Sequence, residues 1–178
     1  ESDAPGRVRD LCMSVSLWRV AADLPDPGAA DLTGTGASLV GGRWNAVDSA
    51  VVYCSESIAL ALLETIGRYL FRSQTQQRFI VRIDIPDTVW SRREELNPLP
   101  AGWDVMPYGQ ASMNAGEEWI ASRRSALLMV PSVIVPEEHN ILINPAHPDA
   151  AAVQATVVRR WLPVHFPFLA GDSHDEHP

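Results

Sequence analysis

Residues 78–85 alternate without a break: Phe79, Val81, Ile83 and Ile85 fall on one side of an extended chain, Arg82 and Asp84 on the other. A period of two sends successive side chains to opposite faces, so this segment predicts a half-buried strand. The same period over residues 14–21 puts Val15 and Leu17 on one face and Arg19 with them. A guanidinium on the apolar side of a strand needs a partner. Residues 50–55 (Ala-Val-Val-Tyr-Cys-Ser) predict a short buried strand, and Ser57 suits the N-cap of a helix running to about Arg72.

Farther along, Asn114-Ala-Gly-Glu117 has the form of a capping box ahead of Trp119 and Ile120, which predicts a helix to about Ser125. Residues 127–135 read as a strand interrupted at Pro131-Ser132, and residues 157–168 as a final strand. The segment 23–42, with five glycines and two prolines, is longer than the usual connection and predicts a lid or binding loop. Short strands alternating with two or three helices point to a single α+β domain with a mixed, largely antiparallel sheet. The working domain is expected over 14–170, between a loose N-terminal segment (1–13) and a polar tail (171–178).

Composition narrows the function classes. Twenty-two acidic residues against fourteen basic ones give a formal charge of −8, which disfavours direct nucleic-acid binding. All fourteen basic residues are Arg, so chemistry that needs a lysine, such as a Walker loop or a Schiff base, is excluded. Cys12 and Cys54 stand far apart and the histidines show no metal spacing, so neither a disulfide framework nor a metal site is expected. The longest apolar run, 126–135, is broken by Pro131 and falls short of the roughly 20 residues that span a bilayer. The first residues, Glu-Ser-Asp-Ala-Pro, lack a signal peptide's basic and apolar regions, and a reducing cytoplasm is the expected compartment.

Glu64 carries the sharpest chemical signal. The segment 57–67 is apolar nearly all round and Glu64 is its lone ionisable side chain. A carboxylate on such a helix is either paired, with Arg19, Arg43 or Arg68 as candidates, or works at a cleft. In Gly41-Gly42-Arg43-Trp44-Asn45, glycines allow close backbone approach, a guanidinium can hold phosphate, and the indole can stack. An ordinary turn with a surface Arg and a core Trp explains the same spacing. Tyr53, at the end of an apolar strand, fits a core tyrosine with a satisfied hydroxyl better than a ligand contact. Ser132 is a lone hydroxyl in an apolar stretch without a Gly-x-Ser-x-Gly elbow, so a serine-hydrolase triad is not expected. Gly34-Thr-Gly36 lacks the third small residue and the preceding strand of a dinucleotide fingerprint.

Taken in order, Trp18-Arg19, Gly42-Arg43-Trp44-Asn45, Val52-Tyr53-Cys54-Ser55, Ala61-Leu62-Leu63-Glu64, Val130-Pro131-Ser132, and Asn140 through Asn144-Pro145 resemble the RES family, toxins of bacterial toxin–antitoxin pairs, from about Leu17 to Phe168. The resemblance implies a fold like the ADP-ribosyltransferase toxins. It also implies NAD as a consumed substrate, no metal, and a cognate antitoxin with a helix-turn-helix DNA-binding domain. The acceptor it implies is a protein side chain, water or phosphate. It casts Glu64, Tyr53 and Ser132 as catalytic, and Arg19, Arg43, Trp44, Asn45 and Asn140 as NAD-binding. Glu64 would stabilise positive charge on the ribose, Tyr53 would stack on the nicotinamide or its ribose, and Ser132 would orient Glu64, Tyr53 or the carboxamide. The rival from another class is a non-catalytic partner-binding module in which Glu64 and the arginines form a structural network.

Overall fold

The computed structural model describes residues 14–22, 28–69 and 77–161, with backbone alone at 68 and 69. The N-terminal segment, Cys12, residues 23–27, the expected helix end at Arg72, and everything after Trp161, including His165, Phe168, His174 and His177, lie outside the described residues.

In chain order the elements are β1 (Ser14–Ala22), α1 (Thr35–Val40), β2 (Val52–Ser55), α2 (Ile58–Tyr69), β3 (Arg78–Pro86), α3 (Asp87–Trp90), β4 (Glu94–Glu95), α4 (Gln110–Ser122), β5 (Leu127–Pro131), β6 (His139–Ile143), a 3-10 turn (Pro148–Ala152) and β7 (Gln154–Trp161). The strands form one sheet in the order β4-β5-β6-β2-β1-β3-β7. Every neighbouring pair is antiparallel except β4 with β5. This is the α+β architecture expected from the sequence.

Alternation along the strands sorts the core into two layers. Leu17, Ala21, Val52, Cys54, Val81, Ile83, Ile85, Ile141 and Ile143 face one side, where Ala29, Val89 and Val153 close over them. Trp44, Val51, Trp119, Leu128, Val130 and Leu142 pack on the other. Each large side chain withdrawn in this way contributes about 1.5–3 kcal/mol.

One feature of the sheet positions the site. Strands β1 and β3 pair along their full length, from Ser14↔Pro86 to Ala22↔Arg78. By contrast, β1 and β2 register at Trp18↔Ser55 alone. Residues 19–22 of β1 and 51–53 before and within β2 instead line a cleft, where the ladder between the two strands has opened.

Several boundaries differ from expectation. Helix α4 starts at Gln110, capped by the extended backbone of Gly109 with no side-chain cap. Asn114 and Glu117 are therefore interior to the helix, not its cap. Strand β5 stops at Pro131, because Ser132 begins a tight turn in which its hydroxyl accepts from the N–H groups of Ile134 and Val135. Strand β7 begins three residues early, at Gln154. The expected glycine-rich loop contains α1, entered through Gly34 at φ 75°, where a Cβ would meet the Val51 nitrogen at 2.6 Å.

Candidate active site

Helix α2 begins as the sequence suggests, with the Ser57 hydroxyl accepting from the Leu60 N–H. Its positions 61, 64 and 65, spaced to share one helical face, turn Ala61, Glu64 and Thr65 into a cleft of about 480 Å³. Trp18, Arg19, Tyr53, Ser55, Asn140 and Arg78 complete much of the wall.

The Glu64 carboxylate is held from behind. Its Oε1 accepts from the Ser132 hydroxyl at 2.8 Å and from the Asn140 amide at 2.6 Å. Ser132 is fully buried, and its oxygen already accepts two backbone N–H groups, so its one proton is left for the carboxylate. Asn140 is oriented the same way: the Ser55 hydroxyl donates to its Oδ1 at 2.7 Å, leaving the NH2 to face Glu64. Among the described residues no hydrogen bond reaches Oε2 and no ion pair engages Glu64. Arg19 and Arg43, two of the partners that a structural salt bridge would use, are turned elsewhere, and the Arg68 side chain lies outside the described residues.

Arg19 lies in the cleft wall. It donates to the carbonyls of Asp31 (2.7 Å) and Ala29 (3.4 Å), tying down the segment that leads to α1. Burial pulls its pKa below the ordinary arginine value, with Cys54 and Asp31 acting in the opposite direction. Burial likewise pushes the neighbouring Cys54 thiol up to about 12, against the pull of Arg19.

Tyr53 presents its ring to the cleft and its hydroxyl to the Gly42–Asn45 turn. The hydroxyl donates to Asn45 Oδ1 at 2.8 Å and accepts from the Trp44 N–H at 3.1 Å. Gly42 is required here, because a Cβ would sit 2.7 Å from that hydroxyl oxygen. Asn45 is buried, and its amide nitrogen reaches the carbonyls of Ala37, Ala46 and Ser49. Glu117, from α4, binds the Ala46 N–H at 2.8 Å and the Ser49 hydroxyl at 2.6 Å.

Arg43 and Trp44 stand outside the cleft lining. Arg43 donates to the carbonyls of Trp103 and Val105 and lies against Met106 and Tyr108, and it is not among the cleft-lining side chains. Trp44 is a core residue, 3% exposed and stacked on Trp103 with ring centres 6.3 Å apart. The structure thus brings Glu64, Ser132, Asn140, Tyr53 and Arg19 together and leaves Arg43, Trp44 and Asn45 in a supporting turn.

The sequence does not announce the places of Ser55, Glu117 and Arg78 at the site: Glu117 reads there as a capping partner, Ser55 as the end of a strand motif, and Arg78 carries no signal. Ser55 and Glu117 act through bonds spanning 85 and 68–71 residues, which no local pattern announces. Among the described residues no group of three or more His, Cys, Asp or Glu is placed to hold a metal ion, and no helix is long and apolar enough to cross a membrane.

The RES domain family model matches residues 16–165. A Prs ADP-ribosylating toxin from Sphingobium sp. is 49% identical over 152 residues, covering 84% of this chain and 94% of that protein. Proteins named Toxin Res from Yersinia enterocolitica (38% over 121 residues, 67% of this chain and 78% of that protein) and Pseudomonas putida (35% over 144 residues, 79% and 92%) are also similar. The family match spans both flanks of the cleft, from β1 past β7, and the chain belongs to the RES-domain toxin family.

Proposed function

We propose that the chain cleaves the nicotinamide–ribose bond of NAD and passes ADP-ribose to an acceptor, a protein side chain in preference to water or phosphate. The observation that carries this reading is Glu64: a carboxylate clamped at Oε1 by Ser132 and Asn140, on the wall of a cleft of substrate size. A carboxylate fixed in advance stabilises positive charge without reorganising when that charge develops.

In this mechanism the glycosidic C–N bond breaks and its electron pair passes to the nicotinamide ring nitrogen, neutralising the pyridinium. The ribose carbon becomes oxocarbenium-like, and Glu64 stabilises it while accepting a hydrogen bond from a ribose hydroxyl. The acceptor then supplies an electron pair to that carbon and gives up a proton. The Tyr53 ring stacks on the nicotinamide or its ribose, since its hydroxyl is bound to Trp44 and Asn45. Ser132 and Asn140 orient Glu64 and do not attack. Arg19 faces the diphosphate. Arg43 joins it by exchanging the carbonyls of Trp103 and Val105 for phosphate oxygens, an exchange of neutral for charged acceptors that strengthens its hydrogen bonds.

Transfer to a protein is supported by the name of the Sphingobium relative, which describes ADP-ribosylation. Segment 28–41, held over the cleft through Arg19, restricts water around a reactive intermediate. The cognate antitoxin, with a helix-turn-helix DNA-binding domain, would bury Leu39 and Val40, which are 70% and 66% exposed on α1 beside the cleft.

NAD labelled in its adenylate half, incubated with the protein and a cell extract, tests the reading. A discrete labelled protein band together with free nicotinamide is expected. Release of nicotinamide with all label in ADP-ribose or its phosphate would make the protein a glycohydrolase or phosphorylase. Absence of nicotinamide release would leave the partner-binding module as the better account.

A further inference from the structure

The cleft wall holds a second buried arginine that the mechanism above does not use. Arg78 opens β3, is 8% exposed, and lines the cleft together with Ala22 and Thr65. Its position relative to Glu64 follows from strand register. Trp18 pairs with Ser55, and Ser55 pairs with Asn140, whose amide holds Glu64. Ala22 pairs with Arg78. Trp18 and Ala22 are four residues apart, so Arg78 projects to the same face of the sheet as Ser55 and Asn140. At about 3.3 Å per residue it lies roughly 13 Å along β1 from the level at which Glu64 is anchored.

Arg19 occupies a different position. It alternates onto the opposite face with Leu17 and Ala21, and its guanidinium is tied to the Asp31 and Ala29 carbonyls. Among the described residues the charged groups of the cleft wall are Arg19, Asp31, Glu64 and Arg78. Asp31 directs its carboxylate to the Thr33 N–H and hydroxyl. Among the described residues, Arg78 is therefore the cleft-lining cation on the Glu64 face, four residues along the sheet from the level of the carboxylate's anchor; Arg82, also on that face, is not among the cleft-lining residues and is paired with Asp84.

Resting on the proposed reading that Glu64 marks the bond broken, we infer that Arg78 binds the phosphate of the adenylate half and so selects a dinucleotide over a nicotinamide mononucleotide. That offset along the sheet is of the order needed to seat the nicotinamide ribose and the nearer phosphate between the two levels. A guanidinium gives a planar fork matched to phosphate oxygens, and its near-complete withdrawal from water strengthens that attraction. A mononucleotide would occupy the Glu64 end and leave Arg78 without its ligand.

The test compares nicotinamide release from NAD and from nicotinamide mononucleotide by the wild-type chain, Arg78→Gln and Arg78→Lys, with thermal melting as a check of fold. Arg78→Gln is expected to raise KM for NAD about tenfold or more with kcat retained, while kcat/KM for the mononucleotide stays unchanged; Arg78→Lys recovers part of the loss. AMP, tested on the wild-type chain, is expected to inhibit NAD cleavage competitively, which keeps the inference testable if both variants fail to fold. Equal loss on the two substrates, an unchanged preference in folded variants, or no inhibition by AMP well above the KM for NAD would overturn it. A wild-type chain that cleaves neither substrate would instead refute the reading of Glu64, and the inference with it.

Discussion

Gly116→Ala is a small change whose sign separates two physical effects. In an exposed helix interior the substitution stabilises by about 1 kcal/mol, because glycine gives up more backbone entropy than alanine. Gly116, however, is where α4 crosses the Gly42–Asn45 turn. A Cβ there would lie 1.9 Å from the Trp44 carbonyl oxygen and 2.6 Å from its carbon, against an ordinary contact of 3.4 Å or more. The obstacle is backbone, so helix and turn must separate by roughly 1.5 Å, enough to forfeit most of the dispersion contact along that line.

Overpacking of this kind costs about 1–3 kcal/mol, and rigid backbone on both sides places it at the upper end. Set against the helix gain, the net loss is about 2 kcal/mol, which for a chain of this size lowers Tm by about 4–8 °C. The separation would also pull Glu117 from the Ala46 N–H and Ser49 hydroxyl that fix the turn beneath Tyr53. Gly36→Ala is the control, since a Cβ at that α1 position meets nothing within 4 Å. Thermal and urea unfolding of both variants decide the matter. A rise in Tm for Gly116→Ala equal to that of Gly36→Ala would refute the docking described between α4 and the turn.

Asn140→Ala removes a charge-assisted hydrogen bond of 2.6 Å to Glu64, worth about 1.5–3 kcal/mol, so nicotinamide release should slow about ten- to hundredfold in kcat; a change under twofold would show that Asn140 does not position the carboxylate. Cys54 imposes a pH dependence on stability: its thiol is raised from 9.0 to about 12 in the fold, so an unfolded chain ionises first and stability is full below about pH 9 and declines toward about pH 12. The interval corresponds to about 4 kcal/mol at about 1.36 kcal/mol per pH unit, and urea unfolding of wild type against Cys54→Ala across that range should show a slope that the variant lacks.

The strands were legible because alternation is local: β3 and β1 follow the pattern of Val81, Ile83 and Ile85, and of Val15 and Leu17. Glu64 was legible because an apolar helix isolates it, and the geometry adds what holds it, two neutral donors at one oxygen. Helix α4 starts earlier than its sequence suggests because Glu117, which has the spacing of a capping partner, gives its oxygens to Ala46 and Ser49, while the true cap, Gly109, has no side chain to announce it. Trp44 and Arg43 share a motif that suits a ligand or an ordinary turn, and its spacing alone does not show that the indole stacks on Trp103 while the guanidinium rests on the Trp103 and Val105 carbonyls. Arg78 carries no motif at all. It enters the cleft because β1 and β2 part beyond Trp18↔Ser55, a property of pairing between distant segments.

The central claim is that the Glu64 carboxylate carries the chemistry. Glu64→Gln keeps the shape of the side chain and can still accept from Ser132 or Asn140 at its oxygen, while removing the charge that stabilises the ribose cation. The measurement is nicotinamide release from NAD by the wild-type chain and by Glu64→Gln, with both confirmed folded by their melting transitions. The account predicts release by the wild type and a fall of about a hundred- to a thousandfold in the variant, the range seen when a fixed electrostatic stabiliser is lost. A folded Glu64→Gln protein that releases nicotinamide at near wild-type rate would contradict it.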